Sequence, residues 1–234
     1  MSAIHRDTPK NGLLAAFSPE DGERFFSDLH PMSLSVQQVF YDTGAPLENV
    51  YFIEQGLASV LTKLTNGSMI GVGMIGMEGM VGVPVLLGDE TSAQRVIVQV
   101  PGTALRMKAA PCKAAFDESA AVRRVLLRFA AARLNFSAQT AACNRVHSIK
   151  QRCARWLLMS SDRVQSDVMP MTHEFLSSML GVRRTGVTTI AGELQRSGLI
   201  RYQRGQVTII DHAGLEAAAC ECYRIDHARF EQRL

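Results

Sequence analysis

The run from Thr172 to Asp211, THEFLSSMLGVRRTGVTTIAGELQRSGLIRYQRGQVTIID, decides the fold, and it contains three signals in close order. Thr172 can cap a helix in which Phe175, Leu176, Met179 and Leu180 recur at helical spacing, and Gly181 can take the left-handed conformation that ends it. After Val182 a second helix is expected, with Val187, Ile190 and Leu194 inward and Gly198 past its end. Two short β segments follow around Arg204-Gly205. Two such helices joined by three or four residues form a helix-turn-helix, and the β pair forms a wing beside it.

The polar start of the second helix is crowded with Arg183, Arg184, Thr185, Thr188 and Thr189. A helix of this size can enter a DNA major groove, where arginine makes bidentate contacts to guanine and threonine offers a hydroxyl and a methyl group. Arg201 and Arg204 on the wing would lie near the phosphate backbone, setting orientation more than base choice. These seven residues are the candidate DNA-binding set.

Charge along the chain points the same way. Residues 1–142 carry 12 Lys/Arg against 13 Asp/Glu, residues 143–210 carry 10 against 4, and residues 211–234 carry 3 against 5. One basic segment inside a balanced chain attracts a polyanion, and double-stranded DNA is the expected partner.

Upstream, the pattern changes. The stretch FSPEDGERFFSDL suggests a short helix with Ser18 as cap and Pro19 at its first position. From Met32 to about Met107 the apolar period is two, in LSVQQVFY, NVYFIEQG, ASVLTKLT, SMIGVGMIG, MVGVPVLLG, RVIVQV and TALRM, punctuated by Asn66-Gly67, Gly88-Asp89 and Pro101-Gly102. Brief strands without long helices between them imply an antiparallel barrel or sandwich. The glycines at 71, 73, 76, 79, 82 and 88 are expected at tight strand corners, since GVGMIGMEGMVG lacks the context of a phosphate-binding loop.

Pro111 can open a short helix, and from Ser119 a long helix is expected with two apolar stripes. One holds Val122, Leu126, Phe129, Phe136 and Cys143, interrupted by Arg133 and Thr140; the other holds Leu127, Ala131, Leu134, Ala138 and Ala141. Two stripes suit a helix that packs on its own domain and on a second copy of the chain. Val122, Leu126, Phe129, Arg133, Phe136 and Thr140 are the candidate dimer contacts. Burial of both stripes within a monomer stays open. A break is expected at Asn144 or Ser148.

The five cysteines, Cys112, Cys143, Cys153, Cys220 and Cys222, form no CxxC pair, and Cys220 and Cys222 are too close to share a helix face. No metal site is expected from them. No apolar run reaches the roughly 20 residues of a membrane span, so no membrane partner is expected and a cytoplasmic location follows by default.

The order of β segments, long helix and winged helix-turn-helix resembles the Crp/Fnr family of bacterial transcription regulators, most strongly in VYFIEQGLASVLTKL and in the quoted run. The resemblance implies an α+β chain: an N-terminal antiparallel, cupin-like β roll of the cyclic-nucleotide-binding type over 1–115, a dimerisation helix over 116–143, and a winged helix-turn-helix with a helical extension over 144–234. It also implies a homodimer on a palindromic site, with RNA polymerase as a further candidate partner; no enzyme activity is expected from the residues themselves, because Asp, Glu and His are scattered without a metal-like cluster and HEFLS lacks the second histidine of the zinc-protease pattern. The family's major-groove contacts map onto Arg183, Arg184, Thr185 and Thr189. The catabolite-activator branch has Glu and Arg where this chain has Thr185 and Thr189, so that branch's half-site is not expected.

The effector pocket implied by the resemblance comprises Gly82, Val83, Thr91, Ser92 and Arg95. Cyclic AMP binding in the family uses a Gly-Glu pair and an Arg-Ser pair. This chain has Gly82-Val83 and Thr91-Ser92, losing two charge-assisted contacts, with Arg95 the nearest replacement for the phosphate partner. The N-terminal cysteine cluster of the oxygen-sensing branch is absent, and His5, His30, His147 and His173 form no recognisable haem pattern. The effector is therefore open, and control by abundance alone is an alternative. So is a small-molecule-binding or protein-interaction module without specific DNA readout.

Overall fold

The computed structural model describes residues 9–18, 20 and 25–231, with the side chains of 230 and 231 excepted. A short helix, α1 (Gly12–Ala15), is capped by Asn11, whose buried amide also donates to the carbonyls of Ile53 and Gly79 at 2.8 Å. The helix start expected at Pro19 lies outside the described residues.

Six antiparallel strands follow: β1 (His30–Leu34), β2 (Val39–Tyr41), β3 (Asn49–Lys63), β4 (Met69–Ile75), β5 (Met80–Val81) and β6 (Arg95–Lys108). The sheet order is β1-β6-β3-β4, with β2 on β6 and β5 on β3. Several expected short strands are continuous here. NVYFIEQG and ASVLTKLT are one strand, and RVIVQV and TALRM are another, with Pro101-Gly102 inside β6. Register shifts at Ile53/Gln55, Gln55/Leu57 and Leu57/Ala58 bend the β3–β6 pair. At that bend a Cβ on Gly102 would collide with the carbonyl of Gln55, so glycine lets the two backbones close up. MVGVPVLLG departs in the other direction: Pro84 helps open a short helix, α2 (Val83–Leu86), after only two strand residues.

The helical part comprises α3 (Ala109–Glu118), α4 (Ala120–Val146) and α5 (Ile149–Val164). Ser119 caps α4, which runs 27 residues and ends at His147. Ser148 then starts α5 with a capping box to Gln151, a local device that fixes the expected break at Ser148. Beyond it lie β7 (Val168–Pro170), α6 (His173–Leu180), α7 (Arg184–Arg196), β8 (Ile200–Gln203), β9 (Gln206–Ile209), α8 (His212–Ala218) and α9 (Cys222–Glu231). No described helix is long and apolar enough to cross a membrane.

Two apolar cores result. One fills the roll and reaches Val122, Leu126 and Phe129 of α4. The other joins Leu57, Leu61 and Met74 of the roll to Trp156, Met179 and Leu194. The glycines of β4 and its flank explain how these parts meet. A Cβ on Gly71 would lie 2.8 Å from Met179 Cα, on Gly73 2.6 Å from Arg133 Nη2, and on Gly76 2.8 Å from Arg163 Cβ, while on Gly79 it would overlap the Phe129 ring. The strand-corner expectation is thus corrected for Gly71 and Gly73, which lie within β4, while Gly76 and Gly79 flank the β4–β5 turn as expected; all four form a smooth seat on which α4, α5 and α6 rest.

The stripe assigned to a partner is corrected as well. Val122, Leu126, Phe129, Phe136 and Thr140 are buried within the single chain. Arg133 donates to the carbonyl of Met74 at 2.7 Å. The sequence period identifies two faces but not which one meets the roll. Leu127, Ala131, Leu134, Ala138 and Ala141 are the residues left exposed.

Candidate nucleic-acid interface

Thr172 caps α6 by accepting from the amide of Phe175 at 3.1 Å, and Gly181 ends it in the left-handed region at φ 64°. Val182 and Arg183 complete the turn, and α7 begins at Arg184. The inner face of α7 is Val187, Ala191 and Leu194, all buried. This burial offsets the low helix propensity of Gly186 and Gly192 and leaves the opposite face outward.

Arg183, Arg184, Thr185, Thr188 and Thr189 are all exposed on the first turns of α7. Arg183 occupies the N-cap position without a side-chain capping bond. The first amides of the helix and the two guanidinium groups therefore present positive potential together, which suits a phosphate or a base edge. The threonines are already oriented. Thr189 donates to the carbonyl of Thr185 at 3.1 Å, and Thr188 contacts the carbonyl of Arg184 and His173 Nδ1, each at 3.1 Å. Their methyl groups and remaining lone pairs are what a base could meet.

The wing is braced from behind. Arg204 and Gly205 form the β8–β9 turn with φ of 52° and 75°. The Met171 amide donates to the carbonyl of Gly205 at 2.7 Å, the Tyr202 amide donates to Gln195 Oε1 at 2.7 Å, and the Tyr202 hydroxyl donates to the carbonyl of Met171. Arg201 and Arg204 are exposed on this hairpin. Sequence reasoning missed the brace: His173 lies against Tyr202 with ring centroids 4.4 Å apart and touches Thr188, joining α6, α7 and the wing. Its place just after the cap Thr172 was the only local signal. Burial, with a smaller contribution from Arg184, lowers the His173 pKa below its ordinary value.

The five effector-pocket residues do not line the cleft of about 250 Å³ that is bordered by Phe25, Asp28, Met107, Pro111, Glu118 and Val122. Gly82 is pressed against Val50 and Tyr41, and Val83 opens α2. Thr91 bridges to Pro46, Ser92 donates to the carbonyl of Gln94 at 2.7 Å, and Arg95 pairs with Asp42 at 3.3 Å on the surface. The side chains of Ser92 and Arg95 thus have protein partners.

The cysteine reading requires correction. Cys143, His147, Cys220 and Cys222 converge, with one potential ligand atom from each within 4.8 Å of all the others. Cys220 precedes the helix that Cys222 begins, so the objection from a shared helix face does not apply. By contrast, burial pushes the thiols of Cys112 and Cys153 up to about 12, as expected of ordinary core residues.

Residues 151–218 match the Crp-like helix-turn-helix domain model. That segment, within the C-terminal unit, is similar to Crp-like helix-turn-helix domains. The fold extends the likeness across the chain. FixK2 from Bradyrhizobium japonicum superposes with a TM-score of 0.70 at 16% identity, over 82% of this chain and 98% of that one. A CRP-family transcriptional regulator from Thermus thermophilus gives 0.69 at 19% identity, over 80% and 96%. The c-di-GMP-responsive global regulator CLP from Xanthomonas campestris gives 0.68 at 16%, over 82% and 99%. No curated protein matches the sequence. The Crp/Fnr resemblance therefore holds in the fold of most of the chain and in the sequence of the Crp-like domain.

Proposed function

We propose that the protein is a sequence-specific DNA-binding transcription regulator that acts as a homodimer on a palindromic site. The observation that carries this reading is the outward start of α7, where Arg183, Arg184 and Thr185 stand exposed at a helix N-terminus beside a braced wing. Arg184 and Thr185 are assigned to base edges, Arg183 to base edge or phosphate, Thr188 and Thr189 to shape and methyl contact, and Arg201 and Arg204 to phosphates. Proteins of the same fold are named as transcriptional regulators, which supports the assignment.

The proposed dimer contact is the exposed stripe of Leu127, Ala131, Leu134, Ala138 and Ala141, with Leu134 at 67% exposure on an otherwise well-packed helix. Small residues between leucines allow two helices to approach closely. The domains proposed are the roll over 1–115, the dimerisation helix over 116–143 and the DNA-binding unit from 144. The effector is left open, since Ser92 and Arg95 are engaged within the chain.

Selection of bound duplexes from a random pool tests the whole reading. Two inverted half-sites about one helical turn apart are expected. Equal affinity for selected and scrambled duplex across a salt series would remove specific readout. Leu134→Asp should convert the protein to monomer in sedimentation and abolish binding to the paired site while leaving weak non-specific binding.

A further inference from the structure

The cluster at the end of α4 lies outside the DNA-reading surface. Cys143 and His147 are four residues apart and face the same side where α4 ends, His147 being its C-cap. Cys220 and Cys222 come from the α8–α9 junction, more than seventy residues later in the chain. The Cys143 and Cys220 sulfurs are 3.5 Å apart, and Cys222 Sγ is 3.7 Å from His147 Nδ1. A tetrahedral zinc ion with bonds of about 2.3 Å to sulfur and 2.0–2.1 Å to nitrogen sets its sulfur pairs about 3.8 Å apart and its sulfur–nitrogen pairs about 3.6 Å apart. The two separations therefore sit close to the edges of such a tetrahedron.

We infer that Cys143, His147, Cys220 and Cys222 form a binding site for a single thiolate-preferring divalent cation, zinc above all. Three sulfurs and one imidazole make a complete tetrahedral set, closed to substrate, of the kind that serves structure. All three thiols are buried, and together they form a small cluster apart from the two apolar cores. The surrounding groups fit metal ligation. His147 places Nε2 3.1 Å from the Glu221 carboxylate, which would orient the ring and leave Nδ1 for the ion. The Gln139 side-chain amide donates to Cys222 Sγ at 3.0 Å, a contact that favours a sulfur carrying negative charge. Donor atoms gathered this tightly have room for one ion and not for a multi-iron cluster, whose cysteines bind different irons.

The site would act as a clasp. It ties the end of the long helix to α9, the helix that follows the Crp-like segment, across the junction at Ser148 where α5 begins. Bound metal would hold that junction in one geometry, because binding to the folded chain alone stabilises it.

The full-length chain, reduced and stripped with a chelator, should be titrated with Co²⁺ and watched by absorption. The expected result is saturation at one equivalent, with the visible bands of a tetrahedral site and thiolate-to-cobalt charge transfer of three-sulfur intensity, both displaced by Zn²⁺. Cys143→Ser and Cys222→Ser should each lose about a third of the charge-transfer intensity at saturation and bind at least tenfold more weakly, whereas Cys112→Ala should match the parent. Absence of saturable binding, an octahedral spectrum, or an unchanged spectrum in a Cys143→Ser/Cys220→Ser chain would overturn the site. If the serine variants do not fold, the parent titration decides, because intensity equivalent to fewer than three thiolates also overturns it. A Cys143–Cys220 disulfide whose reduction restores no metal uptake would show a redox pair instead. None of these readouts needs DNA, so their outcome is independent of the proposed regulatory function.

Discussion

Arginines in the interior and arginines on the helix-turn-helix surface do opposite work in this chain. Arg155 is buried and donates to Asp226 at 2.6 Å and to Thr140 at 3.1 Å; Arg163 donates to Glu78 at 2.8 Å. Together with Arg133, both lie within 5.8 Å of the Phe136 ring, so three cations surround one aromatic side chain of α4. Arg183, Arg184, Arg201 and Arg204 are exposed and form no ion pair with a described carboxylate. The contrast corrects the simple charge count. The acids that neutralise Arg155 and Arg163 come from outside residues 143–210, one from the α9 tail and one from beside the roll's β4. The outward positive field is therefore narrower than the count of ten cations suggests, and it concentrates on α7 and the wing.

The sharpest way to break this comparison is to strip an interior arginine of its acid. Asp226→Ala would leave Arg155 buried beside Thr140 with no counter-charge, at a cost of about 3–5 kcal/mol. Urea denaturation should show a large fall in midpoint, and any loss of DNA binding should follow the loss of folded protein. A change under about 1 kcal/mol would mean that water or another acid reaches Arg155, and the two arginine classes would merge. Burial pushes the Asp226 carboxyl up while Arg155 pulls it down, so the pair is a costly connection between helices.

Arg184→Ala is the counterpart on the surface. It should cost about 1–3 kcal/mol in affinity for the selected site, relax preference at one base position, and leave the denaturation midpoint nearly unchanged. A matched loss on every duplex would move Arg184 from base readout to phosphate contact.

These two classes also show why some parts of the molecule were legible in the sequence and others were not. The helix-turn-helix is encoded locally: cap, left-handed glycine, apolar period and wing turn all lie within a few residues of one another. The long helix and its break at Ser148 are equally local. The function of Gly71 or Gly79 depends instead on Met179 and Phe129, which are distant in sequence, so a corner and a seat look alike. The same holds for the two α4 stripes, since periodicity identifies faces but not their partners. The acids that silence Arg155 and Arg163 are joined to them only by tertiary contact, and of the clasp only the i,i+4 spacing of Cys143 and His147 shows along the chain, while their meeting with Cys220 and Cys222 does not.

A smaller effect separates phosphate contact from base readout. Arg204 has φ 52°, so Arg204→Asn removes the charge while keeping a residue that tolerates the left-handed region. Binding to specific and non-specific duplexes should weaken by a similar factor, and the slope of log affinity against log salt should shallow by about one. Loss confined to the selected sequence would place Arg204 in a groove instead.

The smallest effect tests whether the exposed arginines are felt by their neighbours. His173 has its pKa lowered, first by burial and then by Arg184, so the folded state favours the neutral ring. Its contribution to stability is complete above the unfolded value of about 6.5 and is lost as pH falls through the lower folded value. In the complex the sign should reverse, because phosphates beside α7 favour the protonated ring. DNA affinity should therefore rise modestly as pH falls through the same range while the free protein loses stability. Arg184→Ala should move the His173 titration upward in nuclear magnetic resonance, because it removes an uncompensated neighbouring charge. Asp226→Ala should leave that titration unmoved in whatever fraction stays folded, since the charge it uncovers is buried beside α9. Equal shifts in both variants would show that the interior and surface arginines share one field after all.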